Sequence, residues 1–195
     1  ISECLVGSEM CIRDRSKTLG LLFVHCTLNC YATLVKDVLS LAYNGSTFND
    51  IATDYYVRTL SVIHQEIGDQ MITRDNRSQD QHNLLKDSIR ANDMLDMTSV
   101  WKKILGHYTS DAVVNRSLAD EIINNTIICI GSFVSWIEIN LILDEQYMSF
   151  LYQFLGEGTN AKRRAITANT FNEILHKKMP PSKKLELINF LNLGG

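Results

Sequence analysis

Basic side chains are the residues in this sequence whose types and spacing could bind a ligand. Lys86 and Arg90 lie four residues apart, which places them on one face of a helix, and Arg74 lies in the polar segment before them. Ammonium and guanidinium groups bind carboxylates and phosphates through charge-assisted hydrogen bonds. The three side chains are therefore candidates for an anion-binding surface. The alternative is a solvated face, or one that pairs internally with Asp87 and Asp93.

Two further basic clusters lie towards the C-terminal end of the sequence. The first is Lys162-Arg163-Arg164, and the second combines Lys177-Lys178 with Lys183-Lys184. A phosphate-facing surface would use such clusters to neutralise backbone charge. A solvated helix face requires no ligand. The spacing leaves both interpretations open.

No pattern in the sequence predicts catalysis or metal binding. None of the five histidines pairs with a cysteine or a carboxylate at ligand spacing. Gly156-Glu157-Gly158 is too short for a phosphate loop and is typical of a turn that ends a helix. Asp144-Glu145 is typical of the acidic start of a helix. We therefore expect a protein that is not an enzyme and that needs no cofactor or metal.

Composition indicates a globular domain in a reduced compartment. The chain has 195 residues, a formal net charge of -3 and five cysteines in no metal-like spacing. The negative charge argues against a free-standing nucleic-acid binder, which usually carries a basic surplus. A membrane span over Thr126–Tyr152 is rejected because Glu138, Asn140 and Asp144 fall within it, where polar and charged groups are costly.

The stretch from Asn124 to Leu155 must position most of the other elements. Its first half carries apolar residues at steps of three and four, broadened by Ile128 and Phe133: Ile127, Ile130, Val134 and Ile137. This spacing predicts a helix that is buried on most of its circumference. A corner and a second helix come next, and Gly156 ends the second helix. Such a hairpin cannot bury both of its faces alone, so it needs neighbours of the same kind.

The rest of the sequence repeats this helical pattern. The periodicity predicts about nine helices, including Ser16–Cys30, a helix ending at Asn44-Gly45, Phe48–Gly68, Gln81–Asn92, Leu95–Tyr108, Ser117–Trp136, Ala161–Lys178 and a last helix from Pro181. No strand alternation of useful length occurs. The fold class is therefore all-α, as an α-solenoid of HEAT-like or armadillo-like antiparallel helix pairs, with a closed irregular bundle as the alternative.

The periodicity also assigns faces in the helix Phe48–Gly68. Ile51 and Tyr55 are expected to point inward, while Asp54 and Glu66 are expected outside. Residues 1–15 have no helical or strand period that continues into the rest of the chain, and we expect them to be a non-native extension. Residues 16–195 are expected to form one HEAT-like repeat segment.

Two motifs go beyond generic helices. Phe133–Leu155 (FVSWIEINLILDEQYMSFLYQFL) resembles a helix-corner-helix of the exportin-T family in the importin-β superfamily, and Asn83–Met94 (NLLKDSIRANDM) is similar to that family's inner-helix motif. Collinear similarities run from Ser16 to about Leu193. Lys162-Arg163-Arg164 and Asn169 depart from the acidic and cysteine residues of the family, so no contacts are carried over there.

The resemblance implies a nuclear export receptor that binds Ran-GTP and tRNA cooperatively, meets nuclear pore proteins and shuttles between nucleus and cytoplasm without inserting into a membrane. The chain would correspond to a region within the N-terminal third of such a receptor. Arg74, Lys86 and Arg90 would contact Ran or tRNA. The alternatives are a transport receptor of the same superfamily for protein cargo, and a HEAT-type scaffold without a GTPase partner.

Overall fold

The computed structural model describes residues 14–15, 17–18, 20–22, 34–67, 79–114 and 116–191. The described residues between 14 and 22 are helical. After them come eight α-helices and one 3-10 turn: α1 Leu34–Ala42, α2 Asp50–Ile67, α3 Gln79–Asn92, α4 Met94–Tyr108, α5 Ala119–Val134, the turn Ile139–Leu141, α6 Glu145–Gly156, α7 Ala161–His176 and α8 Pro181–Phe190. The only β-type pairing in these ranges is an isolated bridge between Tyr43 and Phe48.

Helices α2, α5 and α7 form one layer in which the neighbours run parallel. The contacts between α2 and α5 advance in step along both helices, from Asp54–Asn125 through Ser61–Cys129 to His64–Trp136. The contacts between α5 and α7 do the same, from Glu121–Lys162 through Ile127–Thr170 to Val134–Lys177. Parallel neighbours in one layer are what stacked helical hairpins produce.

Helices α1, α4 and α6 form the second layer. The contacts from α1 to α4 advance from Lys36–Asp96 to Tyr43–Lys103, and those from α4 to α6 advance from Thr98–Tyr147 to Gly106–Phe150. The hairpins α1–α2, α4–α5 and α6–α7 therefore stack side by side as successive repeats. Helix α3 is inserted between the first two of them. The predicted all-α solenoid of antiparallel pairs is confirmed.

The central helix α5 is buried on three sides, by α2, α4 and α7. Trp101 of α4 packs edge-on against Phe133, with ring centroids 5.5 Å apart. Asp120 is exposed in the first turn, and the less buried positions after it follow one stripe at steps of four, three and four: Glu121, Asn125, Ile128 and Ser132. Ile128 is 41% exposed, so its expected burial was wrong, while the stripe through Ile127, Ile130 and Val134 is buried as predicted.

The faces assigned to α2 were partly wrong. Ile51 is 60% exposed, whereas Asp54 is 1% exposed and Glu66 is also buried. The error arose because α2 is covered on two sides, by α1 and α5, which buries more of it than one apolar stripe. Asp54 is satisfied there, since it accepts hydrogen bonds from Arg58 Nε at 2.8 and 2.9 Å and from Asn125 Nδ2 at 3.2 Å. A carboxylate with these partners can be buried at low cost.

No helix in the described ranges combines the length and apolarity that a membrane crossing requires. The predicted helix Ser16–Cys30, the extension over residues 1–15 and most of the polar segment before α3 fall largely outside the described residues. That residues 1–15 are a non-native extension and that residues 16–195 form one HEAT-like repeat segment both stay predictions.

The approach of α5 to α7 depends on Gly131. A Cβ atom at this position would lie 2.9 Å from Thr170 Oγ1 and 3.3 Å from Thr170 Cα. The Thr170 hydroxyl cannot turn away freely, because it donates to the carbonyl of Ile127 at 3.1 Å. A Cβ on Gly106 of α4 would instead meet only Phe150 Cζ, at 3.6 Å.

These two helical glycines provide a matched test of the stacking. Gly106→Ala should raise the free energy of unfolding by about 0.5–1 kcal/mol, because alanine is the better helix former. Gly131→Ala should leave the protein about 1–3 kcal/mol less stable than Gly106→Ala, because the added methyl group overpacks the α5–α7 contact. Urea unfolding measures both. Equal stability of the two variants would contradict the close approach.

Candidate functional site

The C-terminal end of α5 is where the structure brings basic residues together. Arg90 of α3 donates from Nε to the carbonyl of Trp136 at 2.7 Å, and its guanidinium lies 5.8 Å from the centroid of the Trp136 ring. Lys177, which follows α7, donates from Nζ to the carbonyl of Val134 at 2.7 Å. Helix C-termini carry unpaired carbonyls and about half a unit of negative charge, so cations are stabilised there.

Lys86 completes this group. It lies one turn before Arg90 on α3 and is 6% exposed. Burial and the Arg90 charge lower the pKa of Lys86, and burial and the same charge lower the pKa of Lys177. Arg90 is therefore close enough to repel each of the two lysines. We call Lys86, Arg90 and Lys177 the basic cluster.

The partners within the basic cluster are unequal. Arg90 forms an ion pair with Asp87. For Arg90, this is the internal pairing that the sequence left open as the alternative to a ligand contact. Lys86 has no hydrogen-bond or ion-pair partner in the described part of the chain. Asp93 is 4% exposed and its Oδ1 has no partner among the described residues, so it does not neutralise Lys86. Burial raises the pKa of Asp93. Arg74 lies outside the described residues.

The predicted cluster of Lys177-Lys178 and Lys183-Lys184 is divided by the fold. Lys184 donates to the carbonyl of Leu175, and to that of Lys177 at 3.0 Å, so it caps the end of α7 as Lys177 caps the end of α5. Lys178 and Lys183 are exposed. Sequence reasoning did not connect Lys177 with Lys86 and Arg90. The predicted solenoid of stacked hairpins could have connected them, because parallel stacking places the residues that follow α7 beside those that follow α5.

The cluster Lys162-Arg163-Arg164 is engaged within the protein. Arg163 is 4% exposed, and its guanidinium pairs with Asp120 and with Glu157 and lies 5.4 Å from the Phe154 ring centroid. Arg164 donates to the carbonyl of Glu157 at 2.6 Å. Lys162 pairs with Glu121 at 2.7 Å. These cations hold α6, α7 and α5 together, and a phosphate-facing role for the cluster is not supported.

The histidines with described side chains also have structural surroundings. His64 Nδ1 accepts from Trp136 Nε1 at 3.1 Å, and His107 packs between Phe48 and Tyr108. His176 Nδ1 lies 2.8 Å from the carbonyl of Asn172. Across the described ranges, no group of three or more histidine, cysteine or acidic side chains is arranged to hold a metal ion.

Asp144-Glu145 lies at the start of α6, as predicted, and the structure shows that Asp144 is the N-cap. Its carboxylate accepts from the Tyr147 backbone N–H at 2.8 Å and forms an ion pair with Lys102. Burial acts to raise the pKa of Asp144, but these hydrogen bonds outweigh it and hold the pKa below the usual range. Gly156 ends α6, also as predicted. Asp144-Glu145 therefore begins α6 and Gly156 ends it, so both motifs have a structural role.

An open groove runs along the outer side of the α2–α5–α7 layer. It has a volume of about 440 Å³ and is lined by residues of all three helices, among them His64, Ile128, Ser135 and Glu173. Ser135 also accepts from Lys177, at 3.4 Å, so the groove adjoins the basic cluster. The site as a whole is a charged and grooved surface. It suits the docking of a macromolecule better than the enclosure of a small substrate.

Comparison with known proteins gives a consistent result. A family model described as Exportin 1-like protein matches residues 11–171. The chain is 40% identical over 178 residues to Exportin-T of Candida albicans, which covers 88% of this chain and 16% of that protein. It is 35% identical over 189 residues to Exportin-T of Aspergillus niger (91% of this chain and 18% of that protein), and 37% identical over 179 residues to Exportin-T of Yarrowia lipolytica (91% and 17%). The chain spans about a sixth of the length of these relatives. The resemblance inferred from Phe133–Leu155 and Asn83–Met94 is confirmed.

The ion pairs formed by Arg163 and by Lys162, both on α7, should differ sharply in their contribution to the free energy of unfolding. Arg163→Met should lower the free energy of unfolding by about 2 kcal/mol or more, because it removes a buried cation that holds two carboxylates. Lys162→Met should cost less than about 1 kcal/mol, because its pair with Glu121 is largely exposed. Equilibrium unfolding in urea distinguishes them, and similar losses would be inconsistent with the buried network.

Asp144 should show a pH-dependent effect. A carboxyl whose pKa is lowered on folding stabilises the protein above its unfolded pKa of about 3.9, and this contribution is lost as the pH falls through the folded pKa. Asp144→Ala should therefore cost about 1–2 kcal/mol at pH 7 and progressively less below pH 4. Glu145→Ala is the control, since Glu145 is exposed and does not cap the helix. A penalty for Asp144→Ala that is unchanged at pH 2.5 would contradict this role.

Proposed function

The chain belongs to the Exportin 1-like family, and from this premise we propose that it is part of a nuclear export receptor for tRNA. The receptor binds Ran-GTP and mature tRNA cooperatively in the nucleus, passes the nuclear pore through contacts with pore proteins, and releases both ligands in the cytoplasm. The observation that carries this proposal is the similarity to Exportin-T proteins along about nine-tenths of the chain.

The stacked hairpins supply a physical basis for cooperative binding. Each repeat contacts mainly its neighbours, so small changes at the α2–α5 and α5–α7 contacts alter the curvature of the whole stack. A ligand that binds one curvature better shifts the equilibrium towards it, and a second ligand with the same preference then binds more tightly. Ran-GTP and tRNA are the two ligands in this proposal. The chain itself acts as a receptor and performs no reaction.

RNA recognition by such a receptor relies on shape and on backbone charge. Transfer RNA is recognised in this way by proteins that lack a base-reading module. The formal net charge of -3 is compatible with this because the basic cluster concentrates positive charge at one edge of the α2–α5–α7 layer. We place the ligand contact of Lys86 and Arg90 there. Arg74, which lies outside the described residues, is the third residue proposed to meet Ran or tRNA.

Two other functions make different predictions. A superfamily receptor for protein cargo would bind a peptide cargo in a Ran-GTP-dependent manner but not tRNA. A HEAT-type scaffold would bind neither ligand of the export complex. Measurement of tRNA, peptide cargo and Ran-GTP binding by the complete gene product therefore separates the three functions.

The proposed function is tested by filter binding of labelled tRNA to the complete gene product with and without Ran-GTP. The unchanged protein should retain tRNA only when Ran-GTP is present. The double charge reversal Lys86→Glu and Arg90→Glu should weaken this retention at least tenfold, because it replaces two cations of the proposed contact by carboxylates. The control is Lys162→Glu, since Lys162 lies on another edge and pairs with Glu121.

Circular dichroism must accompany this experiment, because Arg90 also caps α5 and its reversal affects folding. The tRNA proposal is wrong if the folded, unchanged protein binds no tRNA in the presence of Ran-GTP. The placement of the contact is wrong if the folded double variant binds as tightly as the unchanged protein.

A further inference from the structure

Lys86 is a buried cation for which the described residues provide no partner. It is 6% exposed, yet its ammonium forms no hydrogen bond and no ion pair with any of the described residues. The ammonium itself is not fully enclosed, so it keeps contact with solvent. Burial of this kind disfavours the charged ammonium, because it removes part of the hydration and no described residue compensates for the loss.

The neighbours of Lys86 increase this cost. Arg90 lies one turn away, and its charge also acts on Lys177. Asp87 is the only carboxylate in the described ranges that pairs with the basic cluster, and it pairs with Arg90. The end of α5 contributes about half a negative charge, which Arg90 and Lys177 already meet through the carbonyls of Trp136 and Val134. Lys86 is thus the one cation of the basic cluster whose charge no described carboxylate or carbonyl compensates.

Alternative structural roles do not account for Lys86. The ammonium caps no described helix, unlike Lys177 and Lys184, and it joins no two helices, unlike Arg163. A methionine of similar length could fill the same space without an unpaired charge. Groups whose environment is unfavourable in the free protein are characteristic of functional sites, where a ligand supplies the missing interaction.

We propose that Lys86, assisted by Arg90, is a socket for the carboxylate of an aspartate or glutamate side chain on a protein partner. Both a carboxylate and an RNA phosphate carry the required charge. The low exposure of Lys86 favours the carboxylate, because a single side chain can extend towards a recessed ammonium while a phosphodiester carries bulky sugars on either side. The inference rests on the proposed function in taking the GTP-bound GTPase as the partner that supplies this side chain.

The socket predicts opposite effects on binding and stability when its charge is removed. In Lys86→Met, the affinity of the complete gene product for Ran loaded with a non-hydrolysable GTP analogue should fall at least tenfold, because the partner's carboxylate is left unpaired in the interface. The thermal unfolding midpoint of the unbound protein should rise, because an unpaired buried charge has been replaced by an apolar side chain. Calorimetric titration and a thermal melt measure the two quantities.

Lys178→Met is the matched control. Lys178 is exposed, lies next to the basic cluster in sequence and belongs to the same residue type. This substitution should change neither the affinity nor the unfolding midpoint appreciably. Loss of GTPase binding with a raised midpoint in Lys86→Met, and in that variant alone, supports the socket.

The other outcomes overturn the inference in distinguishable ways. A lowered midpoint in Lys86→Met would show that the ammonium serves the fold. Unchanged GTPase binding together with weakened tRNA binding would assign the site to phosphate, and unchanged binding of both would exclude Lys86 from either contact. Failure of the unchanged protein to bind Ran-GTP would remove the proposed function and the socket together.

Discussion

The need to bury α5 on three sides determines the architecture. Helix α5 carries apolar residues around most of its circumference, and after the exposed Asp120 in its first turn only the stripe through Glu121, Asn125, Ile128 and Ser132 is not fully covered. One hairpin partner, α4, covers a single side. The remaining sides are buried only if the preceding and following hairpins present α2 and α7, and this is the arrangement observed. A hairpin that requires neighbours on both flanks produces a linear stack rather than a closed unit.

Stacking in parallel also distributes charge. Because α5 and α7 run in the same direction, their carbonyl ends meet at one edge of the layer, where Arg90, Lys177 and Lys184 bind the unpaired carbonyls. At the opposite edge, α5 and α7 begin, and the acidic first turn of α5 meets Lys162 and Arg163 of α7. A chain with a net negative charge thereby acquires one basic edge. The asymmetry follows from helix direction and requires no excess of lysine and arginine in the composition.

The sequence predicted features that depend on neighbouring residues along the chain. The apolar stripe of α5 through Ile127, Ile130 and Val134, the acidic start of α6 and its terminal Gly156 are all read from spacings of a few residues, and the structure confirms them. The errors concern pairings across the stack. Asp54 was expected outside because α5, which covers it, supplies one of its partners, Asn125, from 71 residues further along the chain. Ile51 was expected inside for the complementary reason, since nothing along the chain indicates which side of α2 the neighbouring helices leave uncovered.

Because pairings across the stack cannot be read from spacing along the chain, Lys177 was not grouped with Lys86 and Arg90 from the sequence. Spacing placed Lys86 and Arg90 on one face, but the approach of Lys177 to Arg90 depends on two hairpins lying parallel. This position has a mechanical consequence, because the cluster joins the inserted helix α3 to the ends of α5 and α7. An anion held by Lys86 and Arg90 would attract Lys177 as well and so draw two successive repeats together at one edge. Since a solenoid changes curvature through small rotations between repeats, an anion bound at this edge would be coupled to the shape of the stack by electrostatic attraction at the helix ends.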